Sequence, residues 1–151
     1  MAAGRTKTTY TLHPYETADG DGRSYGTDAA DALGVPHEQV FKTLVAEVDG
    51  VLTVGVVPVS TSLDLKALAS AVGGKKAVMA DPARAEKATG YVRGGISPLG
   101  QRKRLRTVVD ASAREQPTVY VSAGRRGLQM ELAPADLITL TEAVVAPIGA
   151  A

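Results

Sequence analysis

The chain has no cysteine and no tryptophan. Disulfides, thiolate zinc sites and a cysteine nucleophile are therefore excluded. Aromatic residues are scarce as well, with one Phe and five Tyr. The core must be built from Val, Leu, Ile and Ala. No sign of charge predominates: Lys and Arg total 17 against 16 Asp and Glu. Nucleic-acid binding thus has no global electrostatic support and would need local clustering. No apolar run approaches the ~18 residues of a membrane span. Met1 to Thr11 is polar and has no apolar stretch of the kind a secretory signal carries. The expectation is a soluble, cytoplasmic protein that does not associate with membranes.

What is present is enough for one core. The length is 151 residues, 44% of them hydrophobic, within the roughly 100–200 residues of a typical domain. Residues 1–7 read as a loose tail and 8–15 as a first strand. Thr27 is a possible cap for a short helix ending at Gly34. Two β-branched runs, 40–48 and 51–57, flank Asp49-Gly50, a strong hairpin signal. Asp64 or Ser62 can cap a helix closed by Gly73-Gly74. Asp81-Pro82 starts another helix, stopped by Gly90. Short strands follow at 77–79, 105–109, 118–122 and 128–132. Pro134 opens a last helix, and 143–148 can form a terminal strand. Hairpins without regular βαβ alternation predict an α+β domain around a mixed, largely antiparallel sheet.

Several motifs fail on inspection. Gly73-Gly74-Lys75-Lys76 lacks the Ser or Thr of a phosphate loop. Gly20-Asp21-Gly22 does not complete a dinucleotide fingerprint. His13 and His37 stand alone, so no metal site is expected and each reads as surface or structural. Ser97 lacks the glycine spacing of a nucleophile elbow. Two glycine-rich segments remain, 89–100 and 122–127. Each is either an irregular turn or a place where backbone approaches a ligand. Lys42 is an anomaly, a lysine inside the apolar run Phe41-Lys42-Thr43-Leu44. It could snorkel to water from an edge strand, or it could line a pocket. Basic residues cluster beside the glycine segments at 75–76, 102–106 and 125–126, which favours a phosphate-rich partner.

Taken in order, the segments Val40-Phe41-Lys42-Thr43-Leu44, Leu63-Asp64-Leu65-Lys66, Gly74-Lys75-Lys76, Met79-Ala80-Asp81-Pro82, Thr89-Gly90-Tyr91, Gly94-Gly95-Ile96-Ser97-Pro98-Leu99-Gly100-Gln101 and Val121 to Leu128 resemble the YbaK/EbsC family. These are bacterial deacylases related to the editing domain of prolyl-tRNA synthetase. The resemblance runs from about Tyr15 to the C-terminus. It implies one editing domain over 1–151, with a mixed, barrel-like sheet and flanking helices. It also implies an enzyme without a cofactor that removes cysteine from mischarged Cys-tRNA(Pro), and in part Cys-tRNA(Cys). The partners are tRNA and, in a ternary complex, prolyl-tRNA synthetase. Lys42 matches the family's functional lysine; Ser122, Gly124 and Gly127 match its substrate loop. Tyr15, Tyr25, Thr43, Pro58, Gly95, Ile96 and Ser97 fall where the pocket is lined. The family's N-terminal helix is curtailed, Tyr25 stands where Phe can occur, and Gln129 stands where Asp can occur.

The resemblance also implies a mechanism. With no Cys and no His-based triad, the thiol of the bound cysteine attacks its own ester. Lys42 anchors the terminal adenosine or its phosphate, and backbone N–H groups at 122–124 hold the oxyanion. Two alternatives stay open: an Ala-tRNA(Pro) deacylase using a bound water, and a non-catalytic tRNA-binding module.

Overall fold

The computed structural model describes residues 10–14, 25–91, 96–99, 101, 105–125 and 127–150, with backbone alone at 25–28 and 125. Its strands in chain order are β1 (Tyr10–Pro14), β2 (Phe41–Val48), β3 (Val51–Pro58), β4 (Ser62–Leu63), β5 (Ala77–Met79), β6 (Arg106–Asp110), β7 (Val119–Arg125), β8 (Leu128–Leu132), β9 (Val144–Ala146) and β10 (Gly149–Ala150). Four helices accompany them: α1 (Tyr25–Leu33), α2 (Leu65–Ala71), α3 (Pro82–Thr89) and α4 (Pro134–Thr141).

Local chemistry accounts for the hairpin and for two helix starts. Asp49 and Gly50 both take positive φ, 50° and 83°. That geometry matches the twist of the flanking strands, and β2 and β3 pair in register from Val48↔Val51 to Phe41↔Pro58. The Asp64 side chain caps α2 by accepting from the Ala67 N–H at 3.0 Å. Asp81 caps α3 in the same way through Arg84 N–H, with Pro82 at the first helical position. α1 starts at Tyr25, two residues before the cap expected at Thr27.

The sheets are mixed and largely antiparallel, as expected. A five-stranded sheet has the order β5-β2-β3-β6-β9, a three-stranded sheet the order β1-β8-β7, and β4 pairs with β10 alone. Among the described residues β5 and β9 are the edges of the largest sheet, so the barrel-like arrangement stays open. Its β3–β6 and β6–β9 pairs are parallel. The long connection from Pro58 to Arg106 makes the first of these possible, because parallel neighbours need a crossover. The expected terminal strand is split in two at Pro147, which cannot donate to a ladder.

Three apolar clusters hold these layers together. Phe41, Val54, Val56 and Val109 of the larger sheet pack with Val119, Val121, Met130 and Leu132 of the smaller one. On the opposite face of the larger sheet, Ala46, Val48, Val57 and Val108 meet Leu68 of α2 and Ile148. A third cluster puts Val40, Val59 and Tyr120 against Ala30 of α1. Aliphatic residues dominate all three, as the scarcity of aromatics requires. Among the described residues no helix is long and apolar enough to cross a membrane.

Candidate functional site

β2 begins with a charge that its neighbours do not neutralise. Val40 belongs to the cluster under α1, whereas Leu44 and Ala46 pack with the cluster under α2. Strand alternation puts Lys42 on that same face, in the gap between the two apolar patches. Lys42 is half-buried, and its ammonium makes no hydrogen bond or ion pair with a described residue. Burial lowers its pKa, since the charged form is the one that loses hydration. Thr43 points the other way, opposite Val56, and its Oγ1 is buried without a partner.

A parallel bridge between Val40 and Tyr120 joins β2 to β7. Two residues further along each strand stand Lys42 and Ser122, on the same side as the bridging pair. Across β7–β8, Ser122 pairs with Gln129, and across β1–β8, Gln129 pairs with His13. The register therefore aligns Ser122, Gln129 and His13 in one row over three strands, and the Val40–Tyr120 bridge brings the start of β2, with Lys42, to the β7 end of that row. Neighbouring strands lie about 4.8 Å apart, so the three-residue row spans about 10 Å.

Beyond Ser122 the β7–β8 register shifts, with Arg125 next paired to Leu128. The start of the glycine-containing segment 122–127 is thus a bulged extension of β7. Gly124 sits in the bulge at φ 108°, and its N–H donates to Ser122 Oγ at 3.2 Å. A Cβ on Gly124 would lie 3.0 Å from Cε1 of Tyr91. The Tyr91 hydroxyl donates to the Leu99 carbonyl at 2.7 Å, which fixes the ring. Gly124→Ala therefore combines a left-handed φ with a contact that cannot easily yield. It should destabilise the protein by about 1–3 kcal/mol, read as a lower thermal midpoint; an unchanged midpoint would mean that Tyr91 moves freely.

Tyr91 ties the second glycine-rich segment to the first. Ser97 is buried and its Oγ accepts from the Leu99 N–H at 3.1 Å, while Gln101 Nε2 donates to the Ser97 carbonyl. Ile96 packs against the main core. Pro58 closes β3 opposite Phe41, and Gly127 takes φ 86° before β8. Tyr25 is the first residue of α1. Tyr15 and Gly95 lie outside the described residues. Ser122 and Gly124 thus stand together, Lys42 reaches their end of β7 through the Val40–Tyr120 bridge, and Tyr91 joins Ser97 to Gly124 by way of Leu99, while Ile96 stays with the core. Thr43 neighbours Lys42 in sequence but faces the core.

One expected neighbour is displaced. The backbone N–H groups of Lys75 and Lys76 donate to the Asp49 carboxylate at 2.9 and 3.0 Å. Asp49 follows the last residue of β2, so these lysines lie about 20 Å along the strand from Lys42. They do not flank the row, although they adjoin glycines in sequence. Arg106 is nearer to that same end, donating to Thr53 Oγ1. Residues 102–104 and 126 lie outside the described residues.

His13 and Gln129 are the row members that sequence reasoning set aside or treated only as a departure. His13 Nε2 lies 2.8 Å from Glu131 Oε1, and its ring stands 5.2 Å from that of Tyr120. Glu131 also accepts from Thr118. The Thr118 hydrogen bond leads, with His13 and Tyr120 adding to it, in holding the Glu131 carboxyl below its usual range despite burial. Gln129 is 6% exposed, and its Oε1 is buried without a partner. Alternation in β8 marks Gln129 and Glu131 as one face; nothing local says that His13 joins it. Among the described residues no three His, Asp or Glu side chains gather as a metal site.

The chain belongs to the aminoacyl-tRNA editing domain family, whose profile matches residues 21–140. It is 39% identical over 135 residues to EbsC of Enterococcus faecalis, named as a candidate Cys-tRNA(Pro)/Cys-tRNA(Cys) deacylase; the match covers 89% of this chain and 82% of that one. The fold is similar to that of a candidate trans-editing enzyme for prolyl-tRNA synthetase, with TM-score 0.81 and 25% identity over 94% of this chain and 87% of that one. A crystal structure described only as a hypothetical protein matches at TM-score 0.86 and 26% identity, covering 98% of this chain and 96% of that one. Membership assigns the class of activity, aminoacyl-tRNA editing by deacylation.

Proposed function

We propose that this protein is a single trans-editing domain that removes cysteine from mischarged Cys-tRNA(Pro), with Cys-tRNA(Cys) as a second substrate. The observation that carries the reading is Lys42, a half-buried cation without a counter-charge among the described residues, at the end of β2 that bridges to β7 just before Ser122. A site that holds an unneutralised cation suits an anionic or electron-rich ligand, and the 3′ end of tRNA supplies both phosphate and ribose oxygens. The named activity of EbsC supports cysteine as the amino acid removed. The protein acts in the cytoplasm, on tRNA alone or delivered by prolyl-tRNA synthetase.

The reaction uses the substrate's own nucleophile. The cysteine sulfur attacks the ester carbonyl, a carbon–sulfur bond forms, and the ester bond to the ribose breaks. The thiol proton ends on the departing ribose oxygen, and the cyclic thioester released is opened by water. Holding the thiol against the carbonyl can contribute up to about 7–11 kcal/mol. Lys42 binds the terminal adenosine or its phosphate. The backbone around Ser122 and Gly124 polarises the carbonyl oxygen, with the Gly124 N–H turning to it from Ser122 Oγ. Pro58, Ile96, Ser97 and Gly127 shape the pocket. A synthetase pocket discriminates weakly among small side chains, which is the gap such a site fills.

A second reading has one observation in its favour. His13, hydrogen-bonded to Glu131, stands in the row with Ser122, and a His–carboxylate pair can activate water. That arrangement fits removal of alanine, which has no thiol. The deciding experiment is deacylation of tRNA(Pro) charged separately with cysteine and with alanine. Loss of cysteine alone, insensitive to His13→Gln, is the expected result. Loss of alanine dependent on His13 moves the protein to the water-based activity. Loss of neither, with tRNA still bound, leaves a binding module.

A further inference from the structure

Gln129 is the row member whose chemistry is least complete. Its side chain is more than nine-tenths buried, yet Oε1 has no hydrogen-bond partner. A buried carbonyl oxygen left unpaired is costly, and such orphans are uncommon enough to need a reason. It shares its face with Ser122 on one side and His13 on the other. The missing element is a hydrogen-bond donor that arrives with the ligand.

The surroundings indicate which donor. The Val40–Tyr120 bridge puts β2 and Lys42 on the side of β7 away from Gln129, so a second cation at Gln129 would be spared close repulsion. Glu131 lies two residues along β8 on the same face and accepts hydrogen bonds from Thr118 and His13. Its carboxylate makes the Gln129 end of the row electronegative while Lys42 makes the other end positive. An aminoacyl ester bound along the row has matching polarity: phosphate and ribose at one end, a free α-ammonium at the other. Resting on the deacylase reading above, we propose that Gln129 is a specificity-determining residue whose Oε1 accepts a hydrogen bond from the α-ammonium of the aminoacyl group. The site thereby selects free aminoacyl esters over N-blocked ones.

The test compares kcat/KM for the preferred aminoacyl-tRNA and its N-acetylated form in wild type, Gln129→Met and Gln129→Glu. N-acetylation should slow the wild type by about tenfold or more, the scale of one hydrogen bond to a charged group. In Gln129→Met, which keeps length and loses the acceptor, the free-amine substrate should slow to near the acetylated level and the discrimination should collapse. In Gln129→Glu, which keeps an acceptor and discards the donor, discrimination should persist or grow. Persistence of the full discrimination in Gln129→Met would overturn the proposal, as would its loss in Gln129→Glu, because the amide would then serve as a donor. An equal slowing of both substrates in Gln129→Met would also overturn it and point to a ribose or adenine contact. If Gln129→Met fails to fold, the Gln129→Glu arm decides alone. A wild type that deacylates neither cysteinyl- nor alanyl-tRNA would mark failure of the functional reading itself, a distinct result.

Discussion

Lys42→Ala should lower deacylation by two to three orders of magnitude while leaving the thermal midpoint unchanged or higher. The two halves of that expectation have one cause. A half-buried ammonium without a partner is costly to the folded state, because it gives up hydration and gains no counter-charge. Removing it relieves that cost. Lys42 anchors the 3′ end of the substrate, and a bound ester misplaced by about 1 Å already loses about 10²-fold in rate; weaker binding adds to that loss, so the same removal should abolish most activity. The pH dependence follows from the lowered pKa. The cation is lost as pH rises through that value, so the rate should fall on the alkaline side earlier than for an ordinary lysine near 10.4. Lys42→Arg keeps its charge throughout this range and should abolish that limb. Stability has the matching sign: the folded state binds this proton more weakly than the unfolded chain does, so stability rises with pH between the lowered and the ordinary value. Full activity in Lys42→Ala would end the assignment of this residue, and joint loss of activity and fold would make it structural.

Much of the architecture was legible where a few neighbouring residues decide the outcome. Asp49-Gly50 fixed a hairpin because both residues tolerate positive φ. Asp81-Pro82 and Gly90 bounded a helix because capping is a property of the first and last turn. Lys42 stood out because a lysine in an apolar strand violates a local rule. What could not be read is the register between strands far apart in the chain. The Val40–Tyr120 bridge and the His13–Gln129–Ser122 alignment join segments with no shared local signal. His13 looked isolated for that reason alone. The parallel β3–β6 pair was hidden in the same way, since a parallel strand resembles an antiparallel one in composition. Lys75 and Lys76 misled in the opposite direction. Adjacent glycines suggested a pocket loop, whereas the Asp49 carboxylate holds that backbone at the far end of β2.

The largest effect on stability is expected from Asp110→Ala. Asp110 ends β6 and is 7% exposed. One carboxylate oxygen accepts from the N–H groups of Ile148 and Gly149 at 2.9 and 2.8 Å. The other accepts from the Ser112 N–H and hydroxyl. A single side chain thus caps the turn after β6 and holds the segment between β9 and β10. Ile148 is fully buried there, and its carbonyl accepts from the Asp64 N–H beside α2. Alanine would orphan two N–H groups at the edge of the core, because no other described carboxylate reaches them. Each hydrogen bond to a charged group is worth about 1.5–3 kcal/mol. The four act as one unit, so a combined loss of about 3 kcal/mol is expected, or about 6–12 °C in thermal midpoint for a chain of this size. Burial alone would raise the Asp110 pKa, but the hydrogen bonds from Ser112, Gly149 and Ile148 outweigh it and hold it below the ordinary value. The sign is then fixed: the stabilisation is complete above the unfolded carboxyl value near 3.9 and disappears as pH falls through the lower folded value. Thermal melts across the acid range should therefore show wild type losing stability more steeply below about pH 4 than Asp110→Asn. Parallel curves for the two would show that the C-terminal strands are held by their own pairing, and that the carboxylate is dispensable.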